Sequence, residues 1–394
     1  MSHARTALCA AALACVLAAG AQAKVPTGPS GLKFYSPPAA KLHGAHGSVI
    51  WARKVHGGAL PTSGTSWLVL YRSLSPAGKI VPTSGVVTIP SGKAPAGGFP
   101  VVSWAHGTTG IADSCAPTRL MNAPSYANST YTMNLRAEET HWVSEGFAVA
   151  QTDYQGLGTA GMHPYLIGVS EGRSVIDAAL AARALSPSVG KRWAAIGHSQ
   201  GGHATLWAAA LGPKYAPSMK LMGALPLAPA SHIGEQSKLI SSIDGNPFGG
   251  LPALIIAAAL QAGHFDYHAA LSDKAIALYP QIEKVCLDKL SAQDSWGGLA
   301  LKEIFRDGYD TSPLIDVISK NDPEDLTIKV PLLIAQGKAD TTVIPTFTDQ
   351  TVQDLQGRGT KITYDTYDGV NHTGVVEASR KDADTFIDGL FGTG

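Results

Sequence analysis

Short apolar runs alternate with stretches of helical spacing along most of the chain. Residues 99–105, 147–152 and 193–196 are apolar enough for buried strands, whereas residues 170–185 have helical spacing, with Ser170 as a suitable N-cap. Strands that alternate with helices are typical of a mostly parallel sheet covered by helices on both faces. The pattern therefore predicts an α/β fold.

Three further short runs of β-type residues precede this alternation. They lie at residues 49–53, 67–71 and 86–89, in a region rich in Gly, Pro and Ser and without helical spacing between them. Consecutive strands joined by short polar turns pair antiparallel. We expect these three strands to form an antiparallel edge of the sheet.

The strand pattern stops after residues 221–227 and resumes at residues 330–335 and 361–367. Between them, residues 230–320 are dominated by helical patterns, notably at 251–262 and 271–290. This predicts a core of residues 24–229 and 321–394 with an inserted helical cap of residues 230–320. The nearly all-apolar stretch 251–260 suits either a buried helix or a lid surface that contacts lipid; we favour burial.

The first 23 residues have the features of a secretory signal peptide. Arg5 precedes an apolar run, and Ala21-Gln-Ala23 provides the small residues of a cleavage site. That run is shorter than the roughly 20 residues of a membrane span. We expect a mature chain that begins near Lys24, is secreted or periplasmic, and has no stable membrane anchor.

The charge balance bears on the kind of partner, and the cysteine content bears on the disulfide state of the protein. The 30 basic and 30 acidic residues balance, which removes the electrostatic case for a nucleic-acid partner. Cleavage of the leader would leave Cys115 and Cys286 in an oxidising compartment. They can form one disulfide or remain two buried thiols.

The main candidate for a catalytic motif is Gly197-His-Ser-Gln-Gly201, which joins the strand predicted at residues 193–196 to a predicted helix. A Gly-x-Ser-x-Gly sequence in this context is a nucleophile elbow, because the sharp turn leaves no room for side chains at its two glycines. Ser199 is the candidate nucleophile. The N–H of Gln200, at the start of the helix, is a candidate oxyanion donor.

A second candidate donor lies at the end of strand 99–105, which leads into His106-Gly-Thr108. An apolar strand that ends in His-Gly upstream of an elbow is where α/β-hydrolases hold their other oxyanion donor, here the N–H of Thr108. We expect the neighbouring Thr109, and the loop that begins at Asp153 and Tyr154, to line the substrate pocket.

The remaining catalytic candidates follow the last two predicted strands. Asp340 follows strand 330–335 and His372 follows strand 361–367, which gives the order Ser, Asp, His of the α/β-hydrolases. The rival acids are Asp349, Asp365 and Asp368: the first lies in a predicted helix and the others lie within or beside the strand before His372. Asp340 is therefore the preferred partner.

Two other sequence patterns are only weak evidence for a cofactor or metal site. The Gly-x-Gly-x-x-Gly at residues 156–161 is followed by Met162-His-Pro164 rather than by a helix, so we exclude a dinucleotide site. His264 and His268 have the spacing of zinc ligands on one helical face, but no catalytic glutamate or third ligand accompanies them. We expect neither a metal nor a cofactor.

Taken together, these motifs resemble the secretory lipase family of α/β-hydrolases, typified by fungal lipase A enzymes. The resemblance rests on the sequences at residues 104–110, 115–117, 153–158, 197–202 and 336–340, and on 70–73 near the start of the mature chain. It implies ester hydrolysis by Ser199, Asp340 and His372, a helical cap over the site, and a cystine between Cys115 and Cys286. Fungal members carry further cysteines and C-terminal residues, so their acyl-chain preference is not carried over.

The expected substrate is a small-molecule or lipid ester, with transient contact between the cap and a lipid interface. Three alternatives stay open: an amidase or peptidase on the same fold, an acyltransferase, and a catalytically inactive binding module. An amidase or peptidase differs from an esterase in the bond that is cleaved. An acyltransferase differs in the acceptor of the acyl group. The third normally has a broken triad, whereas this sequence contains all three residues.

Overall fold

The structure, a computed structural model, describes residues 25–57, 60–121, 130–239 and 243–392. The predicted signal peptide at residues 1–23 lies outside them. A nine-stranded sheet with the order β1-β2-β3-β5-β4-β6-β7-β8-β9 forms its centre. The strands are β1 (Val49–Val55), β2 (Gly64–Leu74), β3 (Ile80–Pro90), β4 (Phe99–Ala105), β5 (Ala148–Thr152), β6 (Val189–His198), β7 (Lys220–Leu227), β8 (Leu332–Gly337) and β9 (Ile362–Tyr367).

The sheet has an antiparallel edge and a parallel remainder. Strands β1, β2 and β3 pair antiparallel, as predicted, and β3 also pairs antiparallel with β5. From β5 to β9 all neighbours are parallel; in β4, for example, Val102 lies opposite Val149 of β5 and Ala194 of β6. Every residue of β4 is buried, as expected for a central strand covered on both faces.

Helices cover both faces of the sheet. The helices are α1 (Pro117–Leu120), α2 (Thr130–Ser144), α3 (Gly168–Leu185), α4 (Gln200–Tyr215), α5 (Ile233–Leu239), α6 (Leu251–Gly263), α7 (Tyr267–Ala270), α8 (Asp273–Leu278), α9 (Leu287–Leu290), α10 (Ser312–Ser319), α11 (Pro345–Gly357), α12 (Val375–Ala378) and α13 (Arg380–Phe391). Helices α3, α4 and α11 share one apolar core with the sheet. Helices α2 and α13 contribute to a second core on the opposite face. The result is the α/β-hydrolase arrangement predicted from the sequence.

Helices α5 to α10 lie between β7 and β8 and form a third apolar cluster. Most of α6 is buried in this cluster, which agrees with the buried interpretation of its apolar sequence. Ile111, Tyr165 and Leu166 of the core loops pack into the same cluster. Apolar contacts therefore join these helices to the loops at the carboxyl edge of the sheet. The boundaries of the cap at 230 and 320 remain a prediction.

Residues 271–290, where the sequence has helical patterns, do not form one continuous helix. The chain forms the short helices α8 and α9 instead, separated by the 3-10 turn Tyr279–Gln281. Pro280 lies in that turn and cannot donate a helical hydrogen bond. The N–H of Leu287 bonds to the carbonyl of Thr109 in another part of the chain, so it too is lost to a continuous helix.

Two smaller expectations also need correction. Helix α3 begins at Gly168, and Ser170 lies inside it, where its hydroxyl donates to Gln155 Oε1 rather than capping the helix. His264 and His268 do not share a helical face, because α6 ends at Gly263 and His264 adopts a left-handed conformation. Among the described residues, no helix combines the length and apolar character needed to cross a membrane.

Candidate active site

Ser199 occupies the turn between β6 and α4. Its backbone has φ of 61° and ψ of −118°, a strained conformation for a residue other than glycine. A Cβ at Gly201 would lie 1.9 Å from the carbonyl oxygen of Ala105, and one at Gly197 would lie 2.4 Å from the carbonyl oxygen of Gly201. The close approach of these backbones explains why glycine occupies both positions, and it gives the turn its elbow geometry.

His372 and Asp340 follow two adjacent parallel strands, β9 and β8, and therefore reach the same edge of the sheet. His372 Nδ1 lies 2.7 Å from Asp340 Oδ2. The other carboxylate oxygen, Oδ1, accepts the N–H groups of Thr342 at 2.8 Å and Val343 at 2.9 Å. Asp340 is thus fixed by the loop that follows β8 and is oriented toward the imidazole.

These contacts set the charge of Asp340. Burial raises the pKa of its carboxyl, but the hydrogen bond and charge of His372, with the two backbone N–H groups, lower the pKa further, so that it lies below its usual range. An ionised Asp340 accepts a hydrogen bond from the N–H at Nδ1, which keeps the proton there and leaves Nε2 of His372 as the basic nitrogen. Within the part of the chain that the structure describes, this buried Nε2 has no hydrogen-bond partner.

The rival carboxylates have other partners or positions. Asp349 Oδ1 accepts the hydroxyl of Tyr364 at 2.6 Å. Asp368 forms an exposed ion pair with Lys338 at 2.7 Å. Asp365 is part of β9 itself. The described contacts of His372 Nδ1 therefore favour Asp340 over all three rivals.

The loop that follows β4 lies beside this edge. Thr108 is buried, and its hydroxyl lies 2.7 Å from that of Tyr165. The carbonyl of the next residue, Thr109, accepts the N–H of Leu287 at 2.9 Å. A disulfide joins Cys115 to Cys286, which precedes Leu287. The loop is therefore tied to the α9 region by a covalent bond and a hydrogen bond, and the cystine implied by the family resemblance is present.

A cavity of about 470 Å³ opens beside Ser199. Its wall is mainly apolar and comes from α6, α10 and the start of α11, together with Tyr165 and Leu166. Among the described residues of the lining, charged side chains are confined to Lys238 and the segment 302–307. A cavity with the Ser199 hydroxyl in its wall and mostly apolar surroundings suits a ligand with a polar reacting group and a hydrocarbon body.

The expected pocket residues Asp153 and Tyr154 lie outside the lining of this cavity. The oxygens of Asp153 accept the hydroxyl of Ser84 and both the N–H and hydroxyl of Thr118. The hydroxyl of Tyr154 donates to the carbonyl of His106 at 2.8 Å. Thr109 is also absent from the lining. These positions argue against substrate contact and give Asp153 and Tyr154 a supporting role around the β4 loop.

Sequence reasoning missed a buried polar cluster behind the elbow, formed by His163, Glu171, Gln200 and His203. Glu171 lies on α3 between Gly168 and Gly172, both of which pack against Trp207 of α4. A carboxylate between two small residues on a buried helix face was a usable signal. The partners of Glu171 are remote in sequence, so this pattern alone does not identify them.

Comparisons with known proteins agree with this architecture. The family model described as secretory lipase matches residues 129–391, well over half of the chain. Candida antarctica lipase A in its closed state superimposes with a TM-score of 0.76 at 19% identity, covering 91% of this chain and 85% of that one. The rice cell wall degrading esterase LipA of Xanthomonas oryzae gives a TM-score of 0.70 at 19% identity, covering 88% and 98%. Both likenesses show the fold.

Two curated relatives are similar in sequence. Lipase A of Moesziomyces aphidis is 30% identical over 66% of this chain and 56% of its own length. A probable inactive lipase of Mycobacterium tuberculosis is 29% identical over 58% of this chain and 51% of its own length. The matched stretches thus span about half the length of these relatives. From the family match and the shared fold, the chain belongs to the secretory lipase family.

Proposed function

We propose that this protein is a carboxylic-ester hydrolase of the lipase or esterase type, with Ser199 as nucleophile, His372 as base and Asp340 as its orienting acid. The observation that carries the proposal is that Nε2 of His372, beside the elbow, has no hydrogen-bond partner among the described residues while Asp340 holds Nδ1. His198, which precedes Ser199, contacts His372 directly, with the ring centroids 4.5 Å apart. A base with a free nitrogen beside a serine elbow favours acyl transfer over a binding role.

In this mechanism, Ser199 Oγ attacks the ester carbonyl and its proton passes to His372 Nε2. Collapse of the tetrahedral intermediate breaks the bond to the alcohol, which leaves with the proton from Nε2. Water then attacks the acyl group on Ser199 and loses a proton to His372. Collapse of this second intermediate breaks the bond to Ser199 Oγ, which takes the proton back from Nε2, and the carboxylic acid is released. Asp340 keeps the proton on Nδ1 throughout and stabilises the imidazolium.

The proposed oxyanion donors are the N–H groups of Thr108 and Gln200. Neither donates to another backbone carbonyl within the described ranges. Gln200 is the first residue of α4, so its N–H also carries the positive end of the helix dipole. Fixed donors at a developing oxyanion stabilise the transition state, and loss of one such donor lowers kcat by about 10²- to 10³-fold in other enzymes.

The acyl group would occupy the apolar cavity next to Ser199. Helices α6 and α10 supply much of its wall, so the cap, proposed as residues 230–320, would provide the acyl-binding surface. Ile344, outside that cap, also lines the cavity and is 37% exposed. A single exposed apolar side chain is ordinary on a protein surface, so we propose brief lipid contact for the cap and not for Ile344.

We also propose that the protein is exported. Residues 1–23 have the composition of a signal peptide, and the Cys115–Cys286 bond is typical of an oxidising compartment. Fractionation of cells that express the full chain, with N-terminal sequencing of the product, tests this. We expect a chain that begins near Lys24 outside the cytoplasm.

Hydrolysis of p-nitrophenyl esters of increasing acyl length tests the enzymatic proposal. Ser199→Ala should lower kcat by about 10⁶-fold, as for other serine nucleophiles, while Ser144→Ala on the exposed end of α2 should not change it. A phosphonate probe should label Ser199 in the wild type. Because one relative is described as a probable inactive lipase, an unlabelled and inactive wild type would favour a binding role.

The same assay distinguishes ester hydrolysis from the two alternative reactions, amide hydrolysis and acyl transfer. Matched anilide substrates should be cleaved far more slowly than esters; faster cleavage of the anilides would favour an amidase. With glycerol added, the free acid should remain the main product. If acylglycerol formed in preference to acid, the protein would be an acyltransferase.

A further inference from the structure

Glu171 is buried behind the elbow, and its carboxylate bonds, among the described residues, to groups near the proposed oxyanion site and to the pocket wall. Oε1 accepts the N–H of Leu166 at 2.9 Å and the side-chain amide of Gln200 at 2.7 Å. Oε2 accepts Nδ1 of His203 at 2.8 Å. Leu166 lines the cavity, whereas Gln200 and His203 lie in the first turn of α4. One carboxylate thus joins α3, α4 and the pocket wall.

The hydrogen-bond directions fix the charges in this cluster. His203 Nδ1 faces Glu171, and Nε2 lies 2.8 Å from the carbonyl of Asn321, so both nitrogens meet acceptors and the ring is a cation. Burial lowers the pKa of His203, but Glu171 raises it further, so the net shift is upward. Burial raises the pKa of Glu171, and His203 lowers it further, so the net shift is downward. The two form a buried ion pair.

Gln200 is held from two sides by its amide. Its Nε2 donates to Glu171 and also lies 2.8 Å from His163 Nε2. Since His163 Nδ1 lies 2.9 Å from the carbonyl of Gln155 and donates to it, His163 Nε2 is free to accept, and the ring is neutral. Burial lowers the pKa of His163, in agreement with that state. Both hydrogens of the Gln200 amide are therefore engaged.

A buried ion pair is a poor source of stability, because its desolvation cost is comparable with its attraction. Apolar side chains of similar size would fill the same space. The pair instead orients a neighbouring side chain. It fixes the amide of Gln200, the residue whose backbone N–H is the proposed oxyanion donor. Through His203 it also reaches Asn321, which follows α10 of the cap.

We propose that Glu171 is a positioning residue for ester hydrolysis, holding Gln200 so that its backbone N–H remains aligned with the oxyanion. The inference rests on the proposed function, since it presupposes that Ser199 forms a tetrahedral intermediate. Glu171 does not touch the reacting atoms. Its effect therefore appears in the stabilisation of the transition state and not in the binding of the ground-state substrate.

Glu171→Met is the first test, because it keeps the length of the side chain and removes both acceptor oxygens, including the one that holds the Gln200 amide. We expect kcat for a soluble p-nitrophenyl ester to fall about 10- to 100-fold, part of the effect of losing one oxyanion donor, with KM within about twofold. The affinity for a trifluoromethyl ketone, whose Ser199 adduct carries the oxyanion, should fall by the same factor as kcat/KM.

Gln200→Met is the second test, because it leaves the backbone N–H and the Glu171–His203 pair in place and removes only the amide. It should reproduce the loss of kcat and of ketone affinity. The control is Glu139→Gln, which alters another buried carboxylate on α2, hydrogen-bonded to Thr88 and away from the cavity. It should leave kcat and ketone affinity within about twofold of the wild type.

The results separate this inference from the proposed function. If the wild type hydrolyses esters but both variants keep their kcat, or lose kcat without losing ketone affinity, Glu171 has no positioning role. An equal loss in Glu139→Gln would also overturn the inference, since the effect would be one of general stability. If the wild type itself neither hydrolyses esters nor binds the ketone, the proposed function and this inference fall together.

Discussion

The ring of His198 donates a hydrogen bond from Nε2 to the backbone carbonyl of His372, with the two atoms 2.7 Å apart. The side chain that precedes the proposed nucleophile therefore holds the main chain of the proposed base. Burial, followed by the nearby His372, lowers the pKa of His198 to about 3. His198 is neutral at ordinary pH and acts as a donor, not as a second base.

This contact predicts a modest catalytic effect. His198→Leu should lower kcat about 5- to 10-fold, because a lost buried hydrogen bond of about 1 kcal/mol would loosen the His372 loop. His198→Gln, whose amide can reach the position of Nε2, should restore most of the rate. The ratio of wild-type to variant kcat should be constant between about pH 5 and pH 9, since His198 does not titrate there. A ratio that changes across this range would contradict the neutral assignment.

Asp340→Asn tests the proposed acid. An amide at this position favours the wrong imidazole tautomer, so kcat should fall about 10⁴-fold with little change in the melting temperature. Asp368→Asn is the control, because Asp368 forms only an exposed ion pair with Lys338 among the described residues. If the Asp368 or Asp365 variant shows the large loss instead, the acid has been misassigned.

The disulfide should affect both stability and activity. It closes a loop of 171 residues, and the chain-entropy treatment gives about 5 kcal/mol, of which roughly 2–4 is usual in practice. Replacing Cys115 and Cys286 by serine should lower the melting temperature by several degrees. Because the bond ties α9 to the Thr108 loop, activity should decline below the temperature of global unfolding.

Thiol titration checks the bond directly. Denatured, unreduced protein that begins near Lys24 should contain no free thiol, since Cys9 and Cys15 precede that point. Two free thiols would contradict the pairing. Retention of full activity in the double serine variant up to its unfolding transition would show that the bond contributes to stability alone.

The buried carboxyl of Glu139 should make the free energy of unfolding depend on pH. Burial raises the pKa of this carboxyl from its usual 4.5 to about 7, against the lowering effect of its hydrogen bonds. The folded state therefore keeps a proton that the unfolded state releases between these values. Its stabilising contribution is fully present below about pH 4.5 and is lost as the pH rises through about 7, a change on the order of 3 kcal/mol.

Chemical denaturation of the wild type and Glu139→Gln at several pH values measures this effect. The free energy of unfolding of the wild type should fall relative to that of the variant by about 3 kcal/mol between pH 4 and pH 8. A difference that does not change with pH would show that the pKa of Glu139 is the same in the folded and unfolded states.

The sequence by itself determined the features that depend on neighbouring residues. Gly197 and Gly201 specify the elbow because a Cβ at either position would collide with backbone within the same turn or the adjoining strand. The fully apolar strand β4 and the antiparallel edge of the sheet followed from hydrophobic periodicity. The family was recognisable because its motifs are short and lie at strand ends.

Only the tertiary structure decided which distant groups meet. Asp153 and Tyr154 follow a strand end as catalytic residues do, yet Ser84, Thr118 and the carbonyl of His106 occupy their polar atoms. Helical spacing at residues 271–290 could not reveal that Leu287 bonds to Thr109, far earlier in the chain.

The buried pair of Glu171 and His203 likewise joins helices that are separated by a strand. Burial and charge pairing are properties of the packed chain, in which residues remote in sequence replace water as hydrogen-bond partners. No local pattern specifies such partners, so a sequence identifies candidate groups, and packing decides which of them are held, which are charged and which remain free to react.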